Sequence, residues 1–224
     1  MNVLITGCSR GIGKAMLDLL IANPRVKRIY ALSSNTQINF NSSKVIKVNA
    51  DFLTDSWEDN LKNSLQDKVL NLVINNAGYL FKGSIEDTSE EEIHKTYRIN
   101  YFAPLRIIQL MLPNIKEGKA HIVNIGSMGG FSGSVKYPGL SVYSSSKAAL
   151  ANLSECWAEE LKDYGVRSNC LALGAVNTEM LQTAFPEYQA PLIPSQMASK
   201  IIDFALNYGE IINGKILPFS LSTP

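Results

Sequence analysis

Tyr143 and Lys147 stand four residues apart in Tyr143-Ser144-Ser145-Ser146-Lys147, at the head of a long stretch whose apolar residues recur at helical spacing. A helix brings residues at that separation onto one face. A free phenol ionises near ~10, and a neighbouring ammonium stabilises the phenolate, so the pair could act as an acid–base group. Taken alone, it describes an exposed helix face equally well. Ser127 follows the β-branched run His121–Ile125 and Gly126, which would set its hydroxyl at the carboxyl edge of a sheet, where open α/β folds bind ligands. From there it could hydrogen-bond a substrate carbonyl.

A second group of residues could hold a phosphate. Thr6-Gly7-Cys8-Ser9-Arg10-Gly11-Ile12-Gly13 lies between the strand-like Asn2–Thr6 and a helical pattern over Ile12–Ala22. Glycines spare such a turn a Cβ, let backbone approach a pyrophosphate and allow close helix–strand packing, while the helix start offers free N–H groups to the anion. Gly7, Gly11 and Gly13 fit these roles. An ordinary tight turn also uses glycine, but placement in the first strand–helix unit favours a dinucleotide.

The end of the second strand refines the expectation. Folds that prefer NAD place an acid there for the adenosine ribose, whereas this chain reads Tyr30-Ala31-Leu32-Ser33-Ser34. With Ser33 and Ser34 in place of a carboxylate, a 2′-phosphate is not repelled, and the Arg10 guanidinium could pair with it bidentately. NADP(H) is therefore expected over NAD(H). A solvated surface position is the plainer alternative for Arg10.

These residues need a frame. Seven strands are predicted at Asn2–Thr6, Arg28–Leu32, Lys44–Val48, Leu70–Asn75, His121–Ile125, Arg167–Leu171 and Lys215–Leu217. Between them lie helical patterns at Ile12–Ala22, Asp55–Leu65, Glu90–Ile99, Tyr101–Leu112, Tyr143–Tyr164 and Ser195–Asn207. Alternating strands and helices predict an α/β fold: a single doubly wound Rossmann domain over residues 1–224, with a seven-stranded parallel sheet flanked by helices. Ser89 and Glu92 form a candidate capping box. Gly126–Gly139, rich in Gly and Ser, and Thr183–Pro194, with three prolines, read as loops.

Composition removes several classes of function. A chain of 224 residues, 46% hydrophobic and 18% charged with net charge +1, has neither the basic excess of a nucleic-acid binder nor the polarity of disorder. A small-molecule partner fits better. No apolar run reaches the roughly eighteen residues that span a bilayer, and Met1-Asn2 lead directly into Val3-Leu4-Ile5, so a soluble, cytoplasmic protein is expected. Cys8, Cys156 and Cys170 show no paired spacing, which suits a reducing compartment, and His94 and His121 form no metal-ligand cluster.

Through Thr6–Gly13, Asn75-Asn76-Ala77-Gly78, Asn100, Ser127 and Tyr143–Lys147, the sequence resembles the short-chain dehydrogenase/reductase family over nearly its whole length. The resemblance implies that Tyr143 is the general acid or base and that Ser127 polarises the substrate carbonyl. It implies that Lys147 holds the nicotinamide ribose and lowers the Tyr143 pKa, while Asn100 supports a water joining Lys147 to solvent. It places Asn76, Ala77 and Gly78 beside the adenosine and Asp51 with Phe52 beside the adenine, Asp51 being equally a common turn or helix cap. Gly174, Val176 and Thr178 would face the nicotinamide. Ser9 and Ile12 complete the phosphate turn.

Two departures stand out. Leu173 precedes Gly174 where the family usually has proline, which implies a less rigid nicotinamide loop. The stretch from Ser127 to Tyr143 is longer than usual and carries Phe131, Val135, Tyr137 and Leu140, resembling the carbonyl-reductase-like and C-factor-like branches. Met128, Phe131, Tyr137, Met180, Leu181 and Phe185 would make a partly apolar substrate wall, with 179–194 as a short lid. The expected activity is NADP(H)-dependent interconversion of an aldehyde or ketone and an alcohol, in a homodimer or homotetramer joined through Tyr101–Leu112 and Tyr143–Tyr164. An NADP(H)-binding regulatory protein without turnover is the alternative.

Overall fold

The computed structural model describes residues 1–34, 40, 42–65 and 69–223. All seven predicted strands are present: β1 (Asn2–Thr6), β2 (Arg28–Ser33), β3 (Val45–Asn49), β4 (Leu72–Asn75), β5 (His121–Ser127), β6 (Arg167–Leu173) and β7 (Ile216–Phe219). They form one parallel sheet in the order β3-β2-β1-β4-β5-β6-β7. The order reverses between β1 and β4, and that switch point opens a crevice above the carboxyl ends of the strands.

Alternation along the buried strands supplies two cores. Val3, Ile5, Ile29, Leu72 and Ile74 face the helices α1 (Gly11–Ala22) and α8 (Pro194–Asn207). Leu4, Tyr30, Leu32 and Val73 face α2 (Trp57–Ser64), α4 (Ala103–Leu110), α5 (Leu112–Glu117) and α6 (Ser141–Glu160). Near-continuous apolar strands are the signature of a sheet covered on both faces. Each large side chain so buried contributes about 1.5–3 kcal/mol.

Several boundaries differ from the sequence pattern for local reasons. β5 and β6 run two residues further than expected because Gly126↔Ala172 and Ser127↔Leu173 continue the ladder. The expected helix over Tyr101–Leu112 is broken: a π-helical turn occupies Arg98–Phe102, followed by α4 and α5, with Met111 at the junction. Pro113, lacking an N–H, stands at the start of α5, where that loss costs nothing. The predicted capping box over α3 (Glu90–Tyr97) is half formed. Ser89 accepts from Glu92 N, but the Glu92 carboxylate accepts from Tyr79 Oη at 2.8 Å instead of turning back on Ser89.

The remaining α-helix, α7 (Glu179–Ala184), lies where the sequence pattern predicts no helix. Among the described residues no helix is long and apolar enough to cross a membrane, and no group of His, Cys, Asp and Glu could hold a metal ion.

Candidate active site

Thr6 is the pivot of the phosphate-binding end. Its hydroxyl accepts from the Asn76 and Ala77 N–H groups at 3.0 and 2.9 Å, while Asn76 Nδ2 donates to the carbonyls of Thr6 and Gly7 at 3.0 and 2.9 Å. The turn after β1 is thus sewn to the turn after β4. Gly7 has φ +66°, and a Cβ there would lie 2.6 Å from Ala77 Cα. A Cβ on Gly13 would stand 2.0 Å from the Gly7 carbonyl oxygen, so the first turn of α1 rests directly on the strand exit. Arg10 starts α1 without a side-chain cap, and no acid sits in the first turn, which leaves that end suited to an anion.

One cleft runs along the carboxyl edge of the sheet. Its walls include Gly7, Ser9, Arg10, Gly11, Ile12 and Gly13 from the first turn, then Ser33, Ser34, Asp51 and Phe52 after β2 and β3. Asn76, Ala77 and Gly78 follow from the β4 turn, Ser127, Tyr143 and Lys147 from β5 and α6, and Gly174, Val176 and Thr178 from beyond β6. Every residue expected to hold the cofactor or act in catalysis, Asn100 excepted, therefore lines a single space. Asp51 also caps its own turn, accepting from Leu53 N at 3.0 Å.

Tyr143 and Lys147 are both buried on the inner face of α6. Ser127 lies beside Tyr143 in the cleft wall, and its Oγ accepts from Gly129 N at 3.1 Å. A Cβ at Gly130 would fall 2.6 Å from Ala148 N, so the turn after Ser127 lies flat on α6 and sets serine against tyrosine. Burial pushes the Tyr143 phenol above its ordinary value, and the neighbouring Ser127 hydroxyl opposes that rise. Lys147 Nζ donates to the Ile125 carbonyl at 2.8 Å, and burial lowers its pKa to about 8. Its ammonium is directed at backbone, and the raised pKa keeps the Tyr143 phenol in its proton-bearing form.

Asn100 stands one layer behind. Its Oδ1 accepts from Tyr79 N at 2.8 Å, and its Nδ2 donates to Tyr79 O at 2.9 Å and Ser146 Oγ at 3.0 Å. Both amide protons are spent, so the side chain acts as a brace between the β4 turn and α6. Ser146, which the sequence reading left unassigned, completes it by donating to the Tyr143 carbonyl at 2.7 Å. Its position one turn from Tyr143 was the available signal. A Cβ at Gly78 would lie 3.4 Å from Lys147 Nζ and 3.5 Å from Asn100 Oδ1, placing all three together.

Beyond β6, Gly174 N donates to Phe219 O at 3.0 Å and Ala175 N to Ser222 O at 2.9 Å. Backbone bonds from 219–222 thus fasten the segment where the family proline is replaced by Leu173. Thr178 caps α7 by accepting from Leu181 N at 3.2 Å. Arg10, expected to await a phosphate, is paired with Glu179 at 2.8 Å, both side chains 69% exposed. Of the expected substrate wall, Met128, Tyr137, Met180, Leu181 and Phe185 line the cleft together with Leu80, whereas Phe131 does not. Cys8 and Cys170 are buried, which pushes their thiols up to about 12 and about 11 and leaves them packing groups. His121 is a core residue, held between Ala205 O and Asn169 Nδ2 at 3.0 Å each and lowered by burial to about 4.

A parallel doubly wound sheet, with a glycine turn at its switch point and Ser127, Tyr143 and Lys147 across the same cleft, defines a Rossmann-type fold. Residues 1–189 match the short chain dehydrogenase family. A probable short-chain type dehydrogenase/reductase of Helicobacter pylori, VdlC, is 33% identical over 81% of this chain and 67% of its own length. Two uncharacterised oxidoreductases, from Bacillus subtilis and Thermotoga maritima, match over 51% and 44% of theirs, so the chain spans about half to two thirds of these relatives. In fold it is similar to a 4-hydroxyisoleucine dehydrogenase mutant complexed with NADH and succinate, with TM-score 0.86, 21% identity and 98% and 97% of the two chains covered. It is likewise similar to ElxO with NADP bound, with TM-score 0.84, 23% identity and 98% and 96% covered. The chain belongs to the short-chain dehydrogenase/reductase family.

Proposed function

We propose that this chain is an NADP(H)-dependent oxidoreductase that interconverts an aldehyde or ketone and an alcohol. The observation that carries the reading is that Ser127, Tyr143 and Lys147 line the same cleft as Gly7, Gly11 and Gly13. The cradle fits a dinucleotide: the missing Cβ atoms of Gly7 and Gly13 let β1, α1 and the β4 turn close on one another, and the uncapped start of α1 stands in the cleft wall. The bound nicotinamide supplies the hydride that side chains cannot. Ser127 and Tyr143 hydrogen-bond the carbonyl oxygen as charge grows on it, and Tyr143 Oη delivers the proton that completes the alcohol. Lys147 serves the nicotinamide ribose and the charge balance at Tyr143. Asn100 keeps the β4 turn and α6 in register.

The absence of an acid at Ser33 and Ser34, with Arg10 in the cleft wall, supports NADP(H) over NAD(H). We read 1–224 as one domain, 179–194 as a lid over the substrate mouth, and the setting as cytoplasmic, in keeping with free Cys8, Cys156 and Cys170. Half-exposed Phe102 beside α4 supports association through α4 and α6 as a dimer or tetramer.

Stopped-flow oxidation of NADPH and NADH across a carbonyl panel tests the reading, with Arg10→Ala as the cofactor probe. Wild type should turn over with NADPH at about tenfold or greater advantage, and Arg10→Ala should weaken NADPH binding about tenfold while sparing NADH. Equal losses for both cofactors would remove the preference. Tight binding with no oxidation by any carbonyl would instead favour a regulatory protein.

A further inference from the structure

Three segments of the chain meet on one side chain beside the cleft wall. Lys82 Nζ donates to the carbonyl of Ala184, the last residue of α7, at 2.7 Å. The same ammonium lies 4.1 Å from the centre of the Phe185 ring. Phe185 in turn packs edge-on against Tyr137, with centroids 6.0 Å apart. From the other direction, Gly83 N donates to Gly139 O at 3.0 Å. Gly139 adopts φ +80°, and a Cβ there would come within 3.2 Å of Lys82 Cγ, so the loop carrying Tyr137 rests on the lysine stem.

The wall held in this way is aromatic and soft. Tyr137 and Phe185 line the cleft with Leu80, Met128 and Met180, while Lys82 stands behind them. Edge-to-face rings readily accept a further ring, and thioethers make favourable contacts with aromatic edges. A cation over one face of Phe185 and a bond to the end of α7 fix that ring against rotation and withdrawal. The hydrogen bond and the cation–ring contact of Lys82 go to Ala184 and Phe185, apart from the acid–base cluster at Tyr143.

We propose that Lys82 is a positioning residue for substrate selectivity: it joins α7 to the 137–140 loop and fixes an aromatic wall that favours an aromatic carbonyl over a small aliphatic one. The proposal rests on the oxidoreductase reading above. Loss of the tie should loosen substrate binding and leave the proton-transfer apparatus alone, so its mark is a change in KM without one in kcat.

Lys82→Met keeps the stem and removes the cation, while Lys82→Arg restores a donor and a cation over the ring. Each is assayed with saturating NADPH on 4-nitrobenzaldehyde and on propanal, and hydrogen exchange is followed over 179–188, 137–143 and 7–13. Wild type should favour the aromatic aldehyde about tenfold or more in kcat/KM. Lys82→Met should raise the KM for 4-nitrobenzaldehyde about tenfold, with kcat and the propanal KM within about twofold. Exchange should quicken in the first two segments and stay unchanged over 7–13, and Lys82→Arg should return within about threefold of wild type. Equal losses on both aldehydes, a fall in kcat at constant KM, unmoved exchange, an arginine variant no better than methionine, or a wild type without aromatic preference would each overturn the assignment. An active wild type with any of these results sinks Lys82 alone. A wild type inert toward every carbonyl sinks the oxidoreductase reading, and the assignment with it.

Discussion

The two ends of the cleft are built on different principles. At the dinucleotide end the contacts are short, buried and largely backbone: Thr6 Oγ1 to Asn76 and Ala77, Asn76 Nδ2 to Thr6 and Gly7, and Gly13 against the Gly7 carbonyl. Little there can move without moving a strand. Around the rest of the cleft wall the fastenings are long side chains, Arg10 of the glycine turn to Glu179 and Lys82 to Ala184 and Phe185. The exposed Arg10–Glu179 pair forms and breaks at little cost, while Lys82 holds its ring in place. Ser127, Tyr143 and Lys147 belong with the rigid end, since Gly130 seats their turn on α6 and Asn100 with Ser146 braces it. A fixed frame suits a ligand that must be held the same way in every cycle. An adjustable wall suits the part of a substrate that is sorted.

The largest expected effect comes from the junction of the two. Tyr143→Phe keeps the ring and removes the proton, so carbonyl reduction should fall about a thousandfold while NADPH binding stays within about threefold. Fluorescence titration and single-turnover rates separate the two quantities. Turnover within about tenfold of wild type would break the assignment of Tyr143 as acid. Next is the frame itself. Gly13→Ala drives a methyl to 2.0 Å from a backbone oxygen, a clash that no rotamer relieves. Overpacking of that kind costs about 1–3 kcal/mol, so a lower Tm and a loss of about a hundredfold in NADPH affinity are expected. Normal affinity in this variant would show that the end described as rigid can yield.

The same division explains what the sequence made legible. The seven strands, the glycine turn and the Tyr143–Lys147 face were readable because each follows from a period or a residue type that acts locally. The interruptions of the helix expected over Tyr101–Leu112 were harder. The π-turn around Asn100 answers to contacts with Tyr79 and Ser146, which are distant in sequence. The sequence spacing predicts that Lys147 lowers the phenol, yet burial is the larger influence on both groups, and burial is a tertiary quantity. The substrate end was least legible. α7 is a six-residue helix without a long apolar repeat, and Lys82 reads in the sequence as one more solvated lysine until Phe185 is placed beneath it.

The smallest expected effect bears on the adjustable side. Arg10 cannot serve both Glu179 and a 2′-phosphate with the same bidentate geometry, so the ion pair competes with the proposed cofactor contact. With both side chains 69% exposed, the pair contributes no more than about 1 kcal/mol, which limits the effect to about two- to fivefold. Glu179→Gln should therefore tighten NADPH by about that factor at low salt, and the gain should fade as ionic strength shortens the screening length. NADH, which lacks the 2′-phosphate, provides the control, because removing a carboxylate from the cleft wall would help any pyrophosphate equally. A gain confined to NADPH places the competition at Arg10. An equal gain for both cofactors assigns Glu179 to general repulsion and leaves the 2′-phosphate contact without support from this pair.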